Sequence, residues 1–335
     1  MINLNEIITE GRALMNRSIT REGFVFTSIT HPANVFDAIV IRSPDGALCD
    51  SLKLGLSERS FEEHVDFINR HKIEKALIIA ENIEFIVKCP SLNCLRIIPA
   101  DSACDGFDYS PLYKMPLIKG LQCMTEYGSK GFSSTVDCSK IAGLESIHVT
   151  NKHYANFNRI PSIKNLGISN YAESDLSEAF EGKELDTLSV FQSRIKTLAG
   201  VERSERLQCL YLHYNRSLED ISALSAVKHT LKALRIESCP KITDFSVLRE
   251  LANLQLLELS GSNELPDLGF LRDMRSLKTF VFSMNVKNGD LLPCRKLSYV
   301  YCAKNRKHYN LKDSQLPKGE YIRGNEDIEP WRRQE

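Results

Sequence analysis

The chain has 335 residues, of which 42% are hydrophobic and 26% are charged. This composition is typical of a globular protein and excludes a disordered or collagen-like chain. Because 43 Lys and Arg residues balance 43 Asp and Glu residues, no overall basic field favours nucleic acid as a partner. The length allows one elongated domain or two of ordinary size.

The first residues contain no basic start followed by a long apolar core, so we do not expect a secretory signal. The longest apolar runs are only as long as a strand, as at residues 76–80, and no run is long enough for a membrane-spanning helix. The sequence therefore predicts a cytoplasmic protein without a membrane partner.

Residues 1–72 predict a small α/β unit. The alternating Phe24 and Phe26 indicate one strand and residues 38–41 a second, with a turn signal at residues 43–46. Ser60, followed three residues later by Glu63, is a capping box and predicts a helix that ends near Arg70. We expect a covering element here rather than an independent catalytic domain.

An internal repeat begins at residue 73. Its pattern is L-x-x-L-x-L-x-x-N/C, seen most clearly at Leu207, Leu210, Leu212 and Asn215. Eleven candidate repeats start at residues 73, 92, 118, 144, 163, 185, 207, 231, 254, 277 and 297. Further apolar residues follow 11, 14 and 17 positions after several starts, as in Leu218, Ile221 and Leu224.

These residues resemble the leucine-rich-repeat family, in particular its short, bacterial, internalin-like class. The resemblance implies an α/β solenoid. A curved parallel sheet would line the concave side, and short helices, 3-10 turns and loops would form the convex side. The solenoid would span residues 73–310, with residues 1–72 as an N-terminal α/β cap and residues 311–335 as a C-terminal cap and tail. Because the signal peptide and wall anchor of secreted internalins are not evident, we expect a non-secreted relative.

The residue at step eight of each repeat follows the predicted strand. In the family this residue bonds neighbouring backbone groups at the bend, because buried backbone groups in a turn need partners. The residues at this position are Ser193, Asn215, Cys239, Ser262, Asn285 and Asn305.

Motifs for catalysis or metal binding are missing from the sequence. The ten cysteines are scattered without a Cys-x-x-Cys pair, which indicates reduced core thiols rather than a metal site. His64 and His71 lie on the predicted helix, where we expect surface side chains. The sequence therefore predicts no enzyme activity, no cofactor and no metal.

The side chains at steps two, four and six of each repeat point away from the solenoid core, because a strand has a period of two. We call the surface that they form the outward face. Its charged residues are mixed in sign and form no basic stripe, which argues against nucleic acid. Aromatic rings near an Arg are typical of protein-binding hot spots. The candidate partner-binding residues are Phe191, Tyr211, His213, Tyr214, Arg235, Glu237, Glu258, Tyr299 and Tyr301.

Two alternatives stay open for these rings. They could pack on one another along the sheet, and the terminal cap could cover Tyr299 and Tyr301. The preferred function is a cytoplasmic protein–protein interaction module, monomeric or weakly homodimeric, that binds an unidentified protein on the concave face. The alternatives are an inhibitor or immunity protein that neutralises a toxin or effector enzyme, and an enzyme with its activity in the N-terminal region.

Overall fold

The computed structural model describes residues 18–27, 37–42, 59–100, 106–123, 134–150 and 153–322. The predicted turn at residues 43–46 lies outside these ranges. The chain forms two compact units, and among the described residues the boundary between them falls between Ile163 and Lys164.

The described part of the first unit contains a sheet whose strands run mostly parallel. Its strands are β1 (Ser18–Arg21), β2 (Phe24–Thr27), β3 (Ala38–Arg42), β4 (Lys75–Ala80), β5 (Cys94–Pro99), β6 (Gly120–Cys123), β7 (Val136–Asp137), β8 (Ser146–Thr150) and β9 (Tyr154–Ala155). The sheet order is β1-β2-β3-β4-β5-β6-β8, and β7 and β9 form a separate pair. The strands β1, β2 and β3 pair antiparallel, and every later pair in the sheet is parallel.

Helix α1 (Phe61–His71) begins at the predicted capping box. The Glu63 amide donates to Ser60 Oγ at 3.2 Å, and the Ser60 amide donates to Glu63 Oε2 at 2.8 Å. The helix packs on the sheet through Phe67, whose ring stacks on that of Phe24 with centroids 4.1 Å apart. The sheet continues past residue 72, because β3 pairs directly with β4.

The outward face of the first unit is apolar where β2, β3 and β4 meet. Val25, Val40, Leu77 and Ile79 form a buried cluster there, each exposed by 4% or less. Leu77 and Ile79 hold steps four and six of the first repeat, on the outward side as the alternation predicts, but this cluster buries them. The face opposite is also apolar and buried, as Ile78 shows, so these strands have a core on both sides.

The second unit carries the regular repeats. Its strands are β10 (Asn165–Ser169), β11 (Thr187–Phe191), β12 (Cys209–His213), β13 (Ala233–Glu237), β14 (Leu256–Ser260), β15 (Glu264–Leu265), β16 (Thr279–Phe282), β17 (Asn285–Val286) and β18 (Tyr299–Cys302). Within the described residues the parallel order is β10-β11-β12-β13-β14-β16-β18, with β15 and β17 as a separate pair. Equivalent repeat steps pair throughout, as in Leu210 with Leu234 and Leu234 with Leu257.

Every one of the eleven predicted repeats has its strand where the sequence placed it, two residues after the repeat start. The turns between strands carry short 3-10 helices, and the apolar positions around them, such as Leu218, Ile221 and Leu224, are buried. These helices are Glu84–Lys88, Ser110–Lys114, Cys138–Lys140, Phe157–Arg159, Val201–Arg203, Ser222–Val227, Ser246–Glu250, Gly269–Arg272, Leu292–Lys296 and Asp313–Gln315. One strand per repeat, followed in ten of the eleven repeats by a short 3-10 helix, is the architecture of a leucine-rich-repeat solenoid.

The bends after the strands are held by a ladder of polar side chains. Asn215 Oδ1 accepts the Ser193 amide at 2.9 Å, and its Nδ2 donates to the Val190 carbonyl at 2.9 Å. Ser193 Oγ in turn accepts the Tyr171 amide at 3.0 Å. Each rung therefore ties one repeat to the next, as the resemblance implied.

The ladder departs from the sequence prediction at the later repeats. Ser262 is exposed, and the neighbouring Asn263 is buried and donates to the carbonyls of Cys239 and Ile242 at 3.0 and 2.8 Å. The chain takes one extra residue at Gly261, which has a φ of 139°, and this shifts the inward-pointing position by one. Asn305 is exposed as well, so it is not a buried rung.

Candidate functional site

The outward face of the second unit consists of three rows that run across the parallel strands. From β11 to β18 the step-two row is Thr187, Cys209, Ala233, Leu256, Thr279 and Tyr299, and the step-four row is Ser189, Tyr211, Arg235, Glu258, Val281 and Tyr301. The step-six row begins with Phe191, His213 and Glu237. All nine predicted site residues lie in these rows or directly beside them.

The step-six row brings an aromatic ring, a histidine and a carboxylate into direct contact. The rings of Phe191 and His213 stack with centroids 4.7 Å apart and planes 9° apart. His213 Nδ1 lies 3.0 Å from Glu237 Oε2. Tyr214, in the left-handed region with φ at 58°, follows β12, and 39% of its surface is exposed. These four residues form an accessible edge with both aromatic and charged groups.

The step-four row is held together by Arg235. Its Cζ lies 4.8 Å from the centroid of the Tyr211 ring, and its Nε lies 3.1 Å from Glu258 Oε2. Tyr211 is only 1% exposed. The prediction that Tyr211 is exposed on this face is therefore wrong, because the guanidinium and its neighbours bury the ring.

The C-terminal chain covers the end of this face at β18. Lys318 Nζ lies 5.6 Å from the ring centroid of Tyr299 and 5.3 Å from that of Tyr301. The Tyr321 ring meets the Tyr299 ring edge to face at 5.2 Å. Burial raises the pKa of Tyr299, with the carboxylate of Asp313 adding to the effect. The C-terminal chain thus contacts both Tyr299 and Tyr301, and each of the two side chains stays partly exposed.

Sequence reasoning missed the residues that cover the face. Tyr321 donates its hydroxyl to Glu258 Oε1 at 2.8 Å, and the Ile322 amide donates to Thr279 Oγ1 at 2.9 Å. Both residues follow the last repeat, where the leucine pattern has ended. The available signal was the apolar and aromatic content of this segment after the polar stretch 304–308.

Groups that could carry chemistry are sparse in the part of the chain that the structure describes. No group of three or more His, Cys, Asp and Glu there could hold a metal ion. His64 is 1% exposed and its Nδ1 lies 2.8 Å from the Ser60 carbonyl, so the prediction of a surface position is wrong. Burial lowers the pKa of His64, which favours a neutral structural ring.

The eight described cysteines are free and buried. Burial raises the pKa of Cys123, Cys138 and Cys294 to about 12, so their thiolates are scarce at neutral pH. In the described residues no helix is both long and apolar enough to cross a membrane.

The repeat register and side-chain ladder make the chain a leucine-rich-repeat protein in its fold. No protein-family model and no curated protein matches the sequence. Among solved structures, an internalin, InlF, from Listeria monocytogenes has 18% identity and a TM-score of 0.48, over 75% of this chain and 73% of that chain.

Two further solved structures are similar over 68% of this chain. The functional domain of InlJ from Listeria monocytogenes, described as including a cysteine ladder, has 14% identity, a TM-score of 0.38 and 56% of its own chain covered. The ectodomain of the plant receptor kinase GASSHO1/SCHENGEN3 from Arabidopsis thaliana, in complex with Casparian strip integrity factor 2, has 13% identity, a TM-score of 0.35 and 35% covered. This chain therefore spans less than two thirds of either one.

Proposed function

We propose that the protein is a protein–protein interaction module whose contact surface is the outward face of the second unit. The observation that carries this proposal is the accessible edge formed by Phe191, His213, Tyr214 and Glu237. A stacked aromatic pair beside a carboxylate and an exposed Tyr supplies apolar area and directional hydrogen bonding together, which is what binding hot spots need.

The charge of this face supports a protein rather than a nucleic acid as the partner. Arg235 is already paired with Glu258, and His213 lies against Glu237. Because phosphate binding depends on several unneutralised Lys or Arg side chains, such paired charges suit a partner of mixed charge.

We propose action by binding rather than by catalysis, in a reducing compartment such as the cytoplasm. The eight free, buried cysteines support the compartment. The monomeric or weakly dimeric state and the identity of the partner stay predictions from the sequence.

Capture from a native lysate, followed by mass spectrometry, tests the contact surface. The full chain is compared with a Phe191→Ala/Tyr214→Ala variant and with a Leu292→Ala control. Leu292 is 48% exposed and lies in a 3-10 helix, away from the outward face. We expect the double variant to lose a specific partner and the control to retain it.

The captured partner is then purified and titrated against the three chains. Loss of at least about tenfold in affinity for the double variant alone supports the proposal, since a hot-spot residue contributes roughly 2 kcal/mol. Equal affinity of the partner for all three chains would show that the contact surface lies elsewhere.

A further inference from the structure

Two exposed arginines occupy equivalent positions in neighbouring repeats of the second unit, shortly after the strands β11 and β12 end. Arg194 and Arg216 hold step nine of their repeats, directly after the ladder residues Ser193 and Asn215. The rung from the Ser193 amide to Asn215 Oδ1 joins the two turns at this point. The two guanidinium groups therefore extend from turns that are neighbours at about the 4.8 Å spacing of paired strands.

The two turns stay paired beyond the ladder. The amides of Glu219 and Asp220 donate to the Lys196 carbonyl at 2.9 and 3.1 Å. Between Arg194 and Lys196, the side chain of Ile195 is fully buried, whereas both cations are exposed. With the arginine of the neighbouring repeat, three exposed cations therefore lie on two adjacent turns.

The acidic side chains of this region do not neutralise the two arginines. Glu219 Oε1 accepts Lys241 Nζ at 2.7 Å, and this hydrogen bond is the main cause that lowers the pKa of Glu219. Asp220 Oδ1 accepts the Ser222 amide at 2.8 Å. Within the described residues, neither arginine forms an ion pair with these carboxylates or with the exposed Glu173 of the preceding repeat.

Two neighbouring guanidinium groups without a counter-ion favour the binding of an anion. Like charges at this separation repel, and a carboxylate placed between them replaces the repulsion by attraction. A guanidinium presents paired N–H donors that match the two oxygens of a carboxylate. The arginine pair therefore suits a ligand that carries Asp or Glu side chains. Three cations are too few for a nucleic acid, because its affinity depends on the number of phosphates that are neutralised.

The residues just before the ladder have an unfavourable backbone conformation. Step seven has a left-handed φ, between 46° and 58°, at Asn170, Gln192, Tyr214 and Ser238. In this region the Cβ of an L-residue approaches the following carbonyl oxygen, whereas glycine adopts the same conformation freely. A bulky Tyr is unusual at such a position, and strained residues of this kind concentrate at binding sites.

The backbone of this turn does not require the Tyr side chain. The Tyr214 amide donates to the Glu237 carbonyl at 2.8 Å, and a glycine would keep this hydrogen bond. Tyr214 is nevertheless 39% exposed. A strained position that carries an exposed aromatic ring, two residues before Arg216, indicates that the ring contacts a partner.

We propose that the second unit binds an acidic segment of a partner protein at a site that we call the basic edge. The basic edge consists of Gln192, Arg194, Tyr214 and Arg216. Carboxylates of the segment bind the two guanidinium groups, an apolar side chain packs on the Tyr214 ring, and the Gln192 amide bonds the segment's backbone. This inference rests on the proposed function, because the basic edge continues from the accessible edge through Tyr214 and assigns a chemistry to the same partner.

The test uses a synthetic peptide, so it does not require the partner. A labelled peptide with a Phe between two pairs of Glu residues is titrated against the full chain and against Arg194→Gln/Arg216→Gln. The matched control is Arg275→Gln/Arg295→Gln. Those two arginines also hold equivalent positions in neighbouring repeats and are exposed, but they precede β16 and β18, at the opposite ends of the strands.

We expect the control to bind the peptide as wild type does. The Arg194→Gln/Arg216→Gln chain should bind it at least about tenfold more weakly, because it loses charge-assisted hydrogen bonds. A peptide with Gln in place of Glu should bind all three chains as weakly as that variant binds the acidic peptide.

Three results would overturn the proposal. Equal weakening by both double variants would show that diffuse charge accounts for the binding. A wild-type chain without saturable binding below about 1 mM peptide would lack the site. Tighter binding of a short uridine homopolymer than of the acidic peptide would indicate a nucleic acid as the ligand.

Tyr214→Gly separates a binding role of the ring from a structural one. Glycine removes the left-handed strain, so we expect this variant to melt no lower than wild type and yet to bind the acidic peptide at least about tenfold more weakly. Ser238→Gly, altered at the same step of the next repeat, should melt no lower than wild type and keep full affinity. A Tyr214→Gly chain that keeps its affinity for the peptide would overturn the proposal.

The proposed function and the basic edge can fail separately. A captured partner that is lost on Phe191→Ala/Tyr214→Ala but binds Arg194→Gln/Arg216→Gln as it binds wild type would support the contact surface and overturn the acidic ligand. Peptide binding that depends on the two arginines, without any captured partner, would support the basic edge alone.

Discussion

The hydroxyl of Tyr321 donates to Glu258 Oε1 at 2.8 Å, although 63 residues separate the two in sequence. Glu258 also lies 3.1 Å from Arg235 Nε, and the Arg235 guanidinium covers the Tyr211 ring. One chain of contacts therefore runs from the C-terminal segment to the middle of the outward face. We therefore expect a substitution at either end of this chain of contacts to change the local stability at the other end.

The first prediction concerns Tyr321→Phe. Removing the hydroxyl takes away a hydrogen bond to a carboxylate, which contributes about 1.5–3 kcal/mol. We expect that loss in the local stability of the C-terminal segment, while the main unfolding transition stays within error of wild type. Hydrogen exchange and urea unfolding measure the two quantities. An equal loss in the local stability of the segment and in the free energy of global unfolding would mean that the C-terminal segment unfolds together with the rest of the protein.

The second prediction compares two asparagines at the same repeat step. Asn215 is fully buried and bonds two backbone groups, whereas Asn285 is half-buried and its Nδ2 bonds the exposed Glu264. We expect Asn215→Ala to lower the free energy of unfolding by about 3 kcal/mol, because it leaves a buried amide and carbonyl unpaired.

Asn285→Ala is the control, with an expected loss below about 1 kcal/mol. Urea denaturation of both variants gives the comparison. Similar losses in the free energy of unfolding would show that the buried side-chain ladder does not stabilise the bends.

The repeat was predictable because it is local and periodic. Each strand needs only a leucine pattern of fixed spacing, so all eleven strand starts could be read from the sequence. The rung at Ser262 was misplaced because one extra residue at Gly261 moves the inward position to Asn263. The left-handed backbone conformation of this glycine cannot be predicted from the spacing of the leucines.

The third prediction concerns Lys183, which is 3% exposed and donates to the Glu181 carbonyl at 3.0 Å. Burial lowers the pKa of Lys183 from 10.5 to about 8. Between these two values the unfolded chain binds more protons than the folded chain, so stability rises as the pH rises from about 8 to 10.5.

Lys183→Met should therefore be more stable than wild type at pH 7, by up to about 3 kcal/mol. The advantage should shrink as the pH rises from about 8 to 10.5, because Lys183 becomes neutral in both the folded and the unfolded chain only above 10.5. Urea unfolding of both proteins across this range measures the difference. A difference that stays constant with pH would show that the ammonium group is solvated in the folded protein.

The fourth prediction concerns the thiols. The described cysteines are Cys89, Cys94, Cys123, Cys138, Cys209, Cys239, Cys294 and Cys302, all buried and free. Burial raises the pKa of Cys89, Cys94, Cys239 and Cys302 to about 11, and only the thiolate is nucleophilic. We expect all eight to resist iodoacetamide at pH 8 in the native protein and to react in denaturing urea.

Peptide mass spectrometry measures the extent of labelling at each cysteine separately. Rapid native labelling of any one of these cysteines would show that its repeat opens or is accessible to the reagent.

The candidate site was only partly predictable, because exposure depends on what covers the sheet. Strand alternation correctly directed Phe191, His213 and Glu237 to one face. It also directed Tyr211 there, but the ring is buried beneath Arg235. No period in the sequence connects residue 258 with residue 321, so the covering segment could not be derived from the repeat.

Hydrogen exchange of the C-terminal segment in the intact wild-type protein is the most direct measurement of the central claim. The amides of Gly319 and Ile322 donate to Ser298 and Thr279. We predict that they exchange at least about tenfold more slowly than in a free peptide of residues 317–335, because exchange then requires local opening. Thr279→Val should remove the protection at Ile322 and leave that at Gly319. Exchange of both amides at the free-peptide rate would contradict a segment that lies on the outward face.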